Sequence, residues 1–250
     1  MNKSAIFCVF MLCMPAFAQD DQPWGFRLTP YLWFAGVKGH ISTVPGQPVV
    51  PIDVSPSDAI DDTEASFMLM FEGKKRRHGF LLDVFYSDVR QKEELIPAID
   101  LKLKSTSEST FVTGAYVYEL YKDNGAIVDM FGGARYWDVD TKLAFGGGLG
   151  MLEGLTVRNS ESWVDPLVGI KATVGLGETR FFVIGYLAGG GGTSGGSDRF
   201  YDYSATVGYQ WTDAISTSLG YRVFDVDYED GSFVYDVKQE GWGLGLSWKF

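Results

Sequence analysis

The chain has 250 residues, of which 46% are hydrophobic and 15% aromatic, and its formal net charge is -11 at pH 7. A net negative charge argues against nucleic-acid binding, because cationic side chains that neutralise phosphates drive that binding. Beyond the first 18 residues the sequence has no apolar run of the length of a spanning helix. A membrane protein with this sequence must therefore be a closed barrel, the other structure that satisfies its backbone polar groups in lipid.

Residues 1–18 have the features of a secretory signal peptide. Lys3 supplies a positive start, an apolar stretch follows, and Ala16 and Ala18 form a small-x-small cleavage site. The stretch is shorter than the ~20 residues of a spanning helix, which argues against a membrane anchor. Both cysteines lie in this segment, so residues 19–250 are predicted to form one exported domain without disulfides.

Turn signals divide the rest of the chain into ten segments that alternate in hydrophobicity and are long enough for tilted membrane strands. The predicted strands are Gly25–Ile41, Glu64–Lys75, Gly79–Gln91, Asp100–Leu120, Ala126–Lys142, Leu152–Gly175, Thr179–Gly189, Arg199–Trp211, Ala214–Tyr228 and Phe233–Phe250. We predict an all-β fold, a closed antiparallel up-and-down transmembrane barrel, with eight or twelve strands as alternatives to ten. Leu152–Gly175 is also compatible with a hairpin, and Pro48–Val54 with a short extra strand.

The links between the predicted strands alternate in length. Those after the second, fourth, sixth and eighth strands are short, and Asn124-Gly125 is a favoured hairpin turn. Most of the others are longer, as at Ser42–Thr63, and the last of them is Glu229–Ser232. Short turns at one end and longer loops at the other are typical of bacterial outer-membrane barrels, whose termini lie on the periplasmic side. In the first long link, Ser55 to Asp58 predicts a helix cap followed by one helical turn.

The alternation within the strands assigns seven ionisable side chains to the barrel interior. They are Glu72, Asp83, Arg135, Asp165, Lys171, Asp202 and Arg222. Counting back from a turn at Arg76–His78 places Glu72 opposite Asp83, and a later turn places Asp202 near Arg222. Charges in a narrow lumen need partners, so the favoured interpretation is a salt-bridge network that plugs the barrel. A path for a substrate or ions, and a catalytic carboxylate pair, are the alternatives.

The last predicted strand carries a recognisable motif. Trp242, Leu244, Leu246, Trp248 and Phe250 alternate with small or polar residues, and the ending reads as a glycine, two residues, an aromatic, one residue and a terminal aromatic. With the strands at Gly132–Trp137 and Leu219–Arg222, this chain resembles small outer-membrane β-barrel proteins of Gram-negative bacteria. The resemblance implies that Gly245, Trp248 and Phe250 form a signal read by the barrel assembly machinery.

The resemblance also implies a place in the outer membrane, reached by export through the inner membrane, and contact with outer-membrane lipids that include lipopolysaccharide. It implies location and architecture more firmly than an activity. The leading hypothesis is a structural or interaction protein with a plugged lumen and acidic extracellular loops. A narrow channel for small solutes is the first alternative.

A membrane-embedded enzyme that acts on lipid or peptide is the second alternative. His40 lies close to Ser42 at the outer end of the first strand, where several small outer-membrane enzymes use a His, Ser or Asp. No second histidine can join it, and the one match to the G-x-S-x-G signature of serine hydrolases, Gly192–Gly196, lies in a glycine-rich run that is not followed by a helix. We therefore expect a polar rim residue at this position, no catalytic residues, no metal and no cofactor.

Overall fold

The computed structural model describes residues 23–42, 49–96, 101–146 and 154–250, so the predicted signal peptide lies outside the described residues. The described part of the chain contains eleven strands and one short helix. In chain order these are β1 Gly25–Ser42, β2 Val50–Val54, α1 Pro56–Asp62, β3 Thr63–Lys75, β4 His78–Ile96, β5 Leu101–Asp123, β6 Ala126–Gly146, β7 Thr156–Gly175, β8 Phe181–Gly190, β9 Arg199–Gln210, β10 Ile215–Asp230 and β11 Phe233–Lys249.

Ten of these strands form one closed antiparallel barrel. From β3 to β11 each strand pairs with its sequence neighbours, while β1 pairs with both β3 and β11 and so closes the cylinder. The prediction of a closed ten-stranded barrel is confirmed. Strand β2 is an eleventh strand outside the cylinder, and it pairs with Val37–Ile41 at the far end of β1.

The two ends of the barrel differ. The turn end carries the short hairpins, such as Asn124-Gly125, whose φ values of 49° and 77° define the predicted left-handed turn. The opposite, loop end carries β2, α1 and the other links. The helix begins after Ser55, whose hydroxyl accepts a hydrogen bond from the Asp58 amide at 3.2 Å, which is the predicted cap.

Strands extend further at the loop end than the sequence indicates. Strands β4 and β6 continue to Ile96 and Gly146, where the predicted strands stop at Gln91 and Lys142. The last loop-end link is short, because Asp230 pairs directly with Phe233. Pairing continues because an antiparallel hairpin satisfies its own backbone hydrogen bonds wherever it lies.

One predicted register is wrong. The turn after β3 contains only Arg76 and Arg77, so Lys75 pairs with His78 and the rest of β3 and β4 follow in that register. Glu72 consequently lies opposite Leu81, and Met70 lies opposite Asp83. The predicted juxtaposition of Glu72 with Asp83 across these strands is therefore not formed.

Strand β7 is a single strand and not a hairpin. Its pairing with β6 runs without a register shift through Pro166, whereas its pairing with β8 begins only at Leu167. Proline has no backbone N–H, so this position is suited to the point where the neighbouring strand ends. The Pro166 carbonyl still accepts a hydrogen bond from the Gly191 amide at 3.3 Å.

The outer surface of the barrel is apolar. On β11 the side chains of Trp242, Leu244, Leu246 and Trp248 point outward and are about half exposed, at 57%, 49%, 50% and 53%. The same alternation on β9 exposes tyrosines and buries Asp202 completely. No helix in the described part of the chain is long and apolar enough to cross a membrane.

Candidate functional site

The middle of the lumen is filled by five residues from five strands, which we name the central charge cluster. They are Tyr31, Asp83, Arg135, Asp202 and Arg222, from β1, β4, β6, β9 and β10. Arg135 and Asp202 have no solvent-accessible surface, and Asp83 is 2% exposed. Because the five strands stand around the whole circumference, the cluster joins opposite sides of the barrel.

Asp202 is the centre of this cluster. Arg222 donates to both of its carboxylate oxygens, from Nε at 2.8 Å and from Nη2 at 2.7 Å. Arg135 donates from Nη2 to Oδ2 of Asp202 at 2.8 Å, and from Nε to the hydroxyl of Thr113 at 2.7 Å. A two-point guanidinium–carboxylate pair of this kind is both strong and directional.

Tyr31 and Asp83 complete the hydrogen bonding. The Tyr31 hydroxyl donates to Oδ1 of Asp83 at 2.9 Å and accepts from Nη1 of Arg222 at 3.1 Å. Nη2 of Arg222 lies 3.4 Å from the other Asp83 oxygen. Two guanidinium groups thus face two carboxylates, and the cluster is formally neutral, as burial away from water requires.

Aromatic rings cover the cluster on the loop side. The guanidinium carbon of Arg135 lies 4.7 Å from the ring centroid of Phe111 and 5.0 Å from that of Phe200. Among the described residues, Nη1 of Arg135 has no hydrogen-bond partner. The electron-rich ring faces offset part of the cost of burying this group.

Two smaller ionic groups follow toward the turn end. In the first, Glu72 accepts from Arg27 at 3.3 Å and from Lys171. In the second, Lys74 lies 2.7 Å from Glu119 and 2.6 Å from Asp129. The lumen therefore contains charge pairs at several levels along the barrel axis. Each pair joins two strands that are not consecutive in sequence, or two residues at different levels of one hairpin.

Asp165 does not belong to any of these ionic groups. It is fully buried, and its carboxylate accepts hydrogen bonds from the Trp137 indole at 2.9 Å, from the Trp163 indole at 3.2 Å, and from the amide and hydroxyl of Ser197, both at 2.7 Å. Four donors stabilise the charge without a cation. They also tie the glycine-rich link between β8 and β9 to the inside of the barrel.

Replacing Asp165 with alanine is expected to release this link. Each buried donor left without a partner costs about 1–3 kcal/mol, and the Ser197 amide and hydroxyl are among those donors. We expect subtilisin to cut between residues 191 and 198 much faster in Asp165→Ala than in the original protein. Asp138→Ala removes a carboxylate on the exposed side of β6 and should leave the rate unchanged. Equal cleavage of all three proteins would contradict the anchoring role.

The structure thus separates the seven predicted interior charges into three places. Asp83, Arg135, Asp202 and Arg222 meet in the central charge cluster, whereas Glu72 and Lys171 pair with each other below it and Asp165 lies above it. Asp202 and Arg222 lie together, as the turn between their strands indicates. The lumen residues that sequence reasoning missed are Arg27, Tyr31, Lys74, Glu119 and Asp129.

A signal for one of these residues is present in the sequence. Arg27 lies between Phe26 and Leu28, and the alternation that turns those two outward turns Arg27 inward. Tyr31 also occupies an inward-facing position in this alternation. Tyrosine is common on the outer face of such barrels as well, so the residue type alone does not indicate a lumen residue.

The remaining predicted features lie at the barrel rim and seam. His40 is exposed at the loop end, with Nδ1 4.0 Å from Oδ2 of Asp236. Trp248 and Phe250 point outward, and the Phe250 backbone exchanges hydrogen bonds with Phe26 at 2.8 and 3.0 Å. Gly245 lies opposite Tyr31 in the closing seam.

Cavities lie on both sides of the central charge cluster. Toward the loop end a cavity of about 320 Å³ extends from Trp33 to Tyr235, and we name it the loop-end chamber. Toward the turn end are cavities of about 160 Å³ and 540 Å³. Trp33 lines both the loop-end chamber and the first of these, so the cluster and this ring lie between them.

Comparison with known proteins gives the class of this fold. No protein-family model and no curated protein matches the chain. Among solved structures, the outer membrane protease OmpT from Escherichia coli is similar, with a TM-score of 0.59 and 8% identity over 92% of this chain and 97% of that one.

Two further solved structures are outer-membrane barrels. The transport unit of the autotransporter AIDA-I from Escherichia coli gives a TM-score of 0.45 and 9% identity, covering 96% of this chain and 94% of that one. Ail, the attachment invasion locus protein of Yersinia pestis, gives a TM-score of 0.34 and 11% identity, covering 92% of this chain and 99% of that one. The OmpT match and the closed ten-stranded barrel show that the chain has the fold of outer-membrane β-barrel proteins, and the resemblance predicted from the sequence is confirmed.

Proposed function

We propose that this chain is a non-conducting β-barrel protein of the bacterial outer membrane that acts as a structural or interaction protein through its loop end. The apolar outer surface and the fold support the membrane location. The central charge cluster is the observation that carries the proposal, because it fills the lumen with mutually satisfied charges. Export by a cleaved signal peptide, assembly through Gly245, Trp248 and Phe250, and contact with lipopolysaccharide are parts of this proposal.

The long strands at the loop end support an interaction role. Strands β5 and β6 have 23 and 21 residues, whereas about 9–11 tilted residues cross a membrane. Roughly half of each strand therefore stands above the bilayer as a rigid wall. Its charged side chains include Lys104, Glu108, Asp138, Asp140 and Lys142. At the same end of the barrel, five carboxylates of β10 and β11 outnumber Lys238; they are Asp225, Asp227, Glu229, Asp230 and Asp236. This excess favours a cationic partner, or a divalent cation between these carboxylates and lipopolysaccharide phosphates.

The non-conducting state is tested in planar bilayers. We expect no discrete current steps from the purified protein, because ions would have to cross the buried central charge cluster, in which two arginines pair with two aspartates. The double variant Arg222→Ser with Asp202→Ser shortens both central side chains and should produce small steps if it folds. Steps in the original protein that disappear when Arg135 or Arg222 is substituted would instead identify a narrow channel.

A separate test addresses an enzymatic role. His40 and Asp236 are both largely exposed, and their nearest atoms are 4.0 Å apart, which is longer than a hydrogen bond. We expect no turnover when the protein is incubated with phospholipid, lipopolysaccharide or peptides, and no difference between the original protein and His40→Ala. Turnover that His40→Ala abolishes would overturn the proposal in favour of a lipid or peptide hydrolase or transferase.

A further inference from the structure

The barrel wall is split between β1 and β3. Their pairing runs from Gly25 opposite Lys74 to Pro30 opposite Leu69 and extends no further within the described residues. Beyond it, β1 pairs on that side with β2 instead, from Val37 onward. Proline offers no backbone donor, and the pairing of β1 with β11 also omits Pro30.

The split leaves a side cleft, defined by Tyr31–Gly36 of β1 and Thr63–Met68 of β3. Strand burial shows the same opening. Most barrel strands alternate between buried and exposed positions, but four successive residues of β3, from Glu64 to Phe67, are all exposed. A strand exposed on both faces has lost its cover on the inner side as well as the outer side.

The apex of the cleft lies at the depth of lipid chains. Leu32 and Phe34 on β1 and Phe67 on β3 point outward and are 48%, 38% and 54% exposed. Phe34 lies opposite Trp242, and both rings are on the outer face, so the cleft begins on the turn-end side of this aromatic pair and opens toward the loop end. Segment β2–α1 covers its upper part, where Gly36 allows Pro56 to approach the β1 backbone.

The cleft leads into the loop-end chamber. Residues of both cleft edges line this chamber, among them Trp33, Ala35, Ser66 and Met68. The far wall is formed by β4, β5 and β11, and it includes Tyr235. A volume of about 320 Å³ is at the lower end of the ~300–1,000 Å³ that small-ligand sites occupy.

The lining of the chamber selects the chemistry of its occupant. Aliphatic and aromatic side chains dominate, the polar members are hydroxyls and the amide of Gln239, and none of the described residues that line it is charged. The turn-end cavities differ, because Arg27, Glu72 and Lys171 line both of them. The chamber offers few polar groups to replace the hydration shell of an ion or a sugar, so burial of either would be unfavourable. Burial of a hydrocarbon chain is favourable, because it removes apolar surface from water.

We propose that the side cleft admits one acyl chain of a membrane lipid from the outer leaflet into the loop-end chamber, while the lipid head group stays at the rim. This inference rests on the membrane location proposed above. It assigns a lipid-binding site to a barrel whose lumen is closed to ions. The chain enters sideways, between strands, and does not pass the central charge cluster.

The test uses the purified full-length protein in vesicles that contain a phospholipid with a diazirine at the end of one acyl chain. After illumination, peptide mass spectrometry locates the adducts. We expect adducts on the inward-facing chamber residues Trp33, Tyr235 and Val237, in addition to outward-facing residues around the barrel. Ile184, inward-facing beside the turn-end cavity, should carry none.

A pair of variants sharpens the result. Ala35→Trp fills the chamber from β1, and it should abolish the inward adducts while the outward adducts remain. Ala205→Trp adds the same ring to the exposed outer face of β9 and should change nothing inside. If Ala35→Trp does not fold, as judged by heat-modifiable gel migration, Ser109→Trp fills the chamber from β5 instead.

Two outcomes overturn the inference. Adducts confined to outward-facing residues would show a membrane barrel whose cleft is closed to chains. Equal labelling of Ile184 and Trp33 would show entry by another route. Absence of adducts on the outer surface as a whole would instead contradict the membrane location, so the failures of the two proposals are distinguishable.

Discussion

Replacement of Asp202 by asparagine is expected to destabilise the barrel by about 3–5 kcal/mol, the cost of removing one partner from a buried ion pair. Asp202 accepts hydrogen bonds from both Arg135 and Arg222; the Arg135 side chain has no solvent-accessible surface, and that of Arg222 is only 13% exposed. The amide that replaces the carboxylate keeps the shape but removes the negative charge. The measurement is the urea midpoint of the folded, heat-modifiable form in lipid vesicles.

Asp140 provides the matched control. It pairs with Arg158 at 2.7 Å, and the side chain of Arg158 is 66% exposed, so Asp140→Asn should cost no more than about 1 kcal/mol. Adding Arg135→Met to Asp202→Asn should recover part of the loss, because the unpaired charge is then removed as well. Similar midpoints for the Asp202 and Asp140 variants would contradict the proposed role of the cluster.

The second large effect is expected at the closing seam, in Gly241→Ala. A β-carbon at this position would lie 1.9 Å from the carbonyl oxygen of Phe34 and 2.7 Å from the α-carbon of Ala35, so β1 and β11 would have to separate. Overpacking costs about 1–3 kcal/mol where side chains can adjust, and here the obstacle is backbone, so we expect about 3 kcal/mol or more. Refolding yield into vesicles, read as heat-modifiable migration, measures the loss.

Gly243→Ala is the control for the seam. It lies two residues away on the same strand and face, and its β-carbon would meet nothing closer than the Leu32 carbonyl oxygen at 3.4 Å. The sequence alone treats these two glycines as equivalent, whereas the structure predicts that only Gly241→Ala prevents closure. Equal refolding of both variants would mean that the seam can adjust its backbone.

The sequence predicts the barrel well because alternation and turn chemistry are local properties. Strand β9 shows both, since its outward tyrosines and its inward Asp202 follow from a period of two. Partners across the lumen are not local. Tyr31 and Arg222 are 191 residues apart in sequence, and parity says only that each points inward.

Asp165 shows a second limit of sequence reasoning. Its parity is correct, but a carboxylate can be stabilised by a cation or by several neutral donors, and only the positions of Trp137, Trp163 and Ser197 decide between these. The side cleft shows a third limit of sequence reasoning. Its edges are in the predicted strands, but the absence of pairing beyond Pro30 depends on where β2 and α1 pack.

The pairing of the first barrel strand with the last has a kinetic consequence. Every other barrel pair except β1–β3 joins consecutive strands by a hairpin or a single link, so those pairs can form early and independently. The seam joins segments about 200 residues apart, and the central charge cluster needs Tyr31 from β1 and Arg222 from β10 together. Until the cylinder closes, these charges have no complete set of partners, so closure of the seam and completion of the cluster are expected to be one cooperative step. An intermediate short of that event would keep its lumen hydrated and its two edge strands available for pairing.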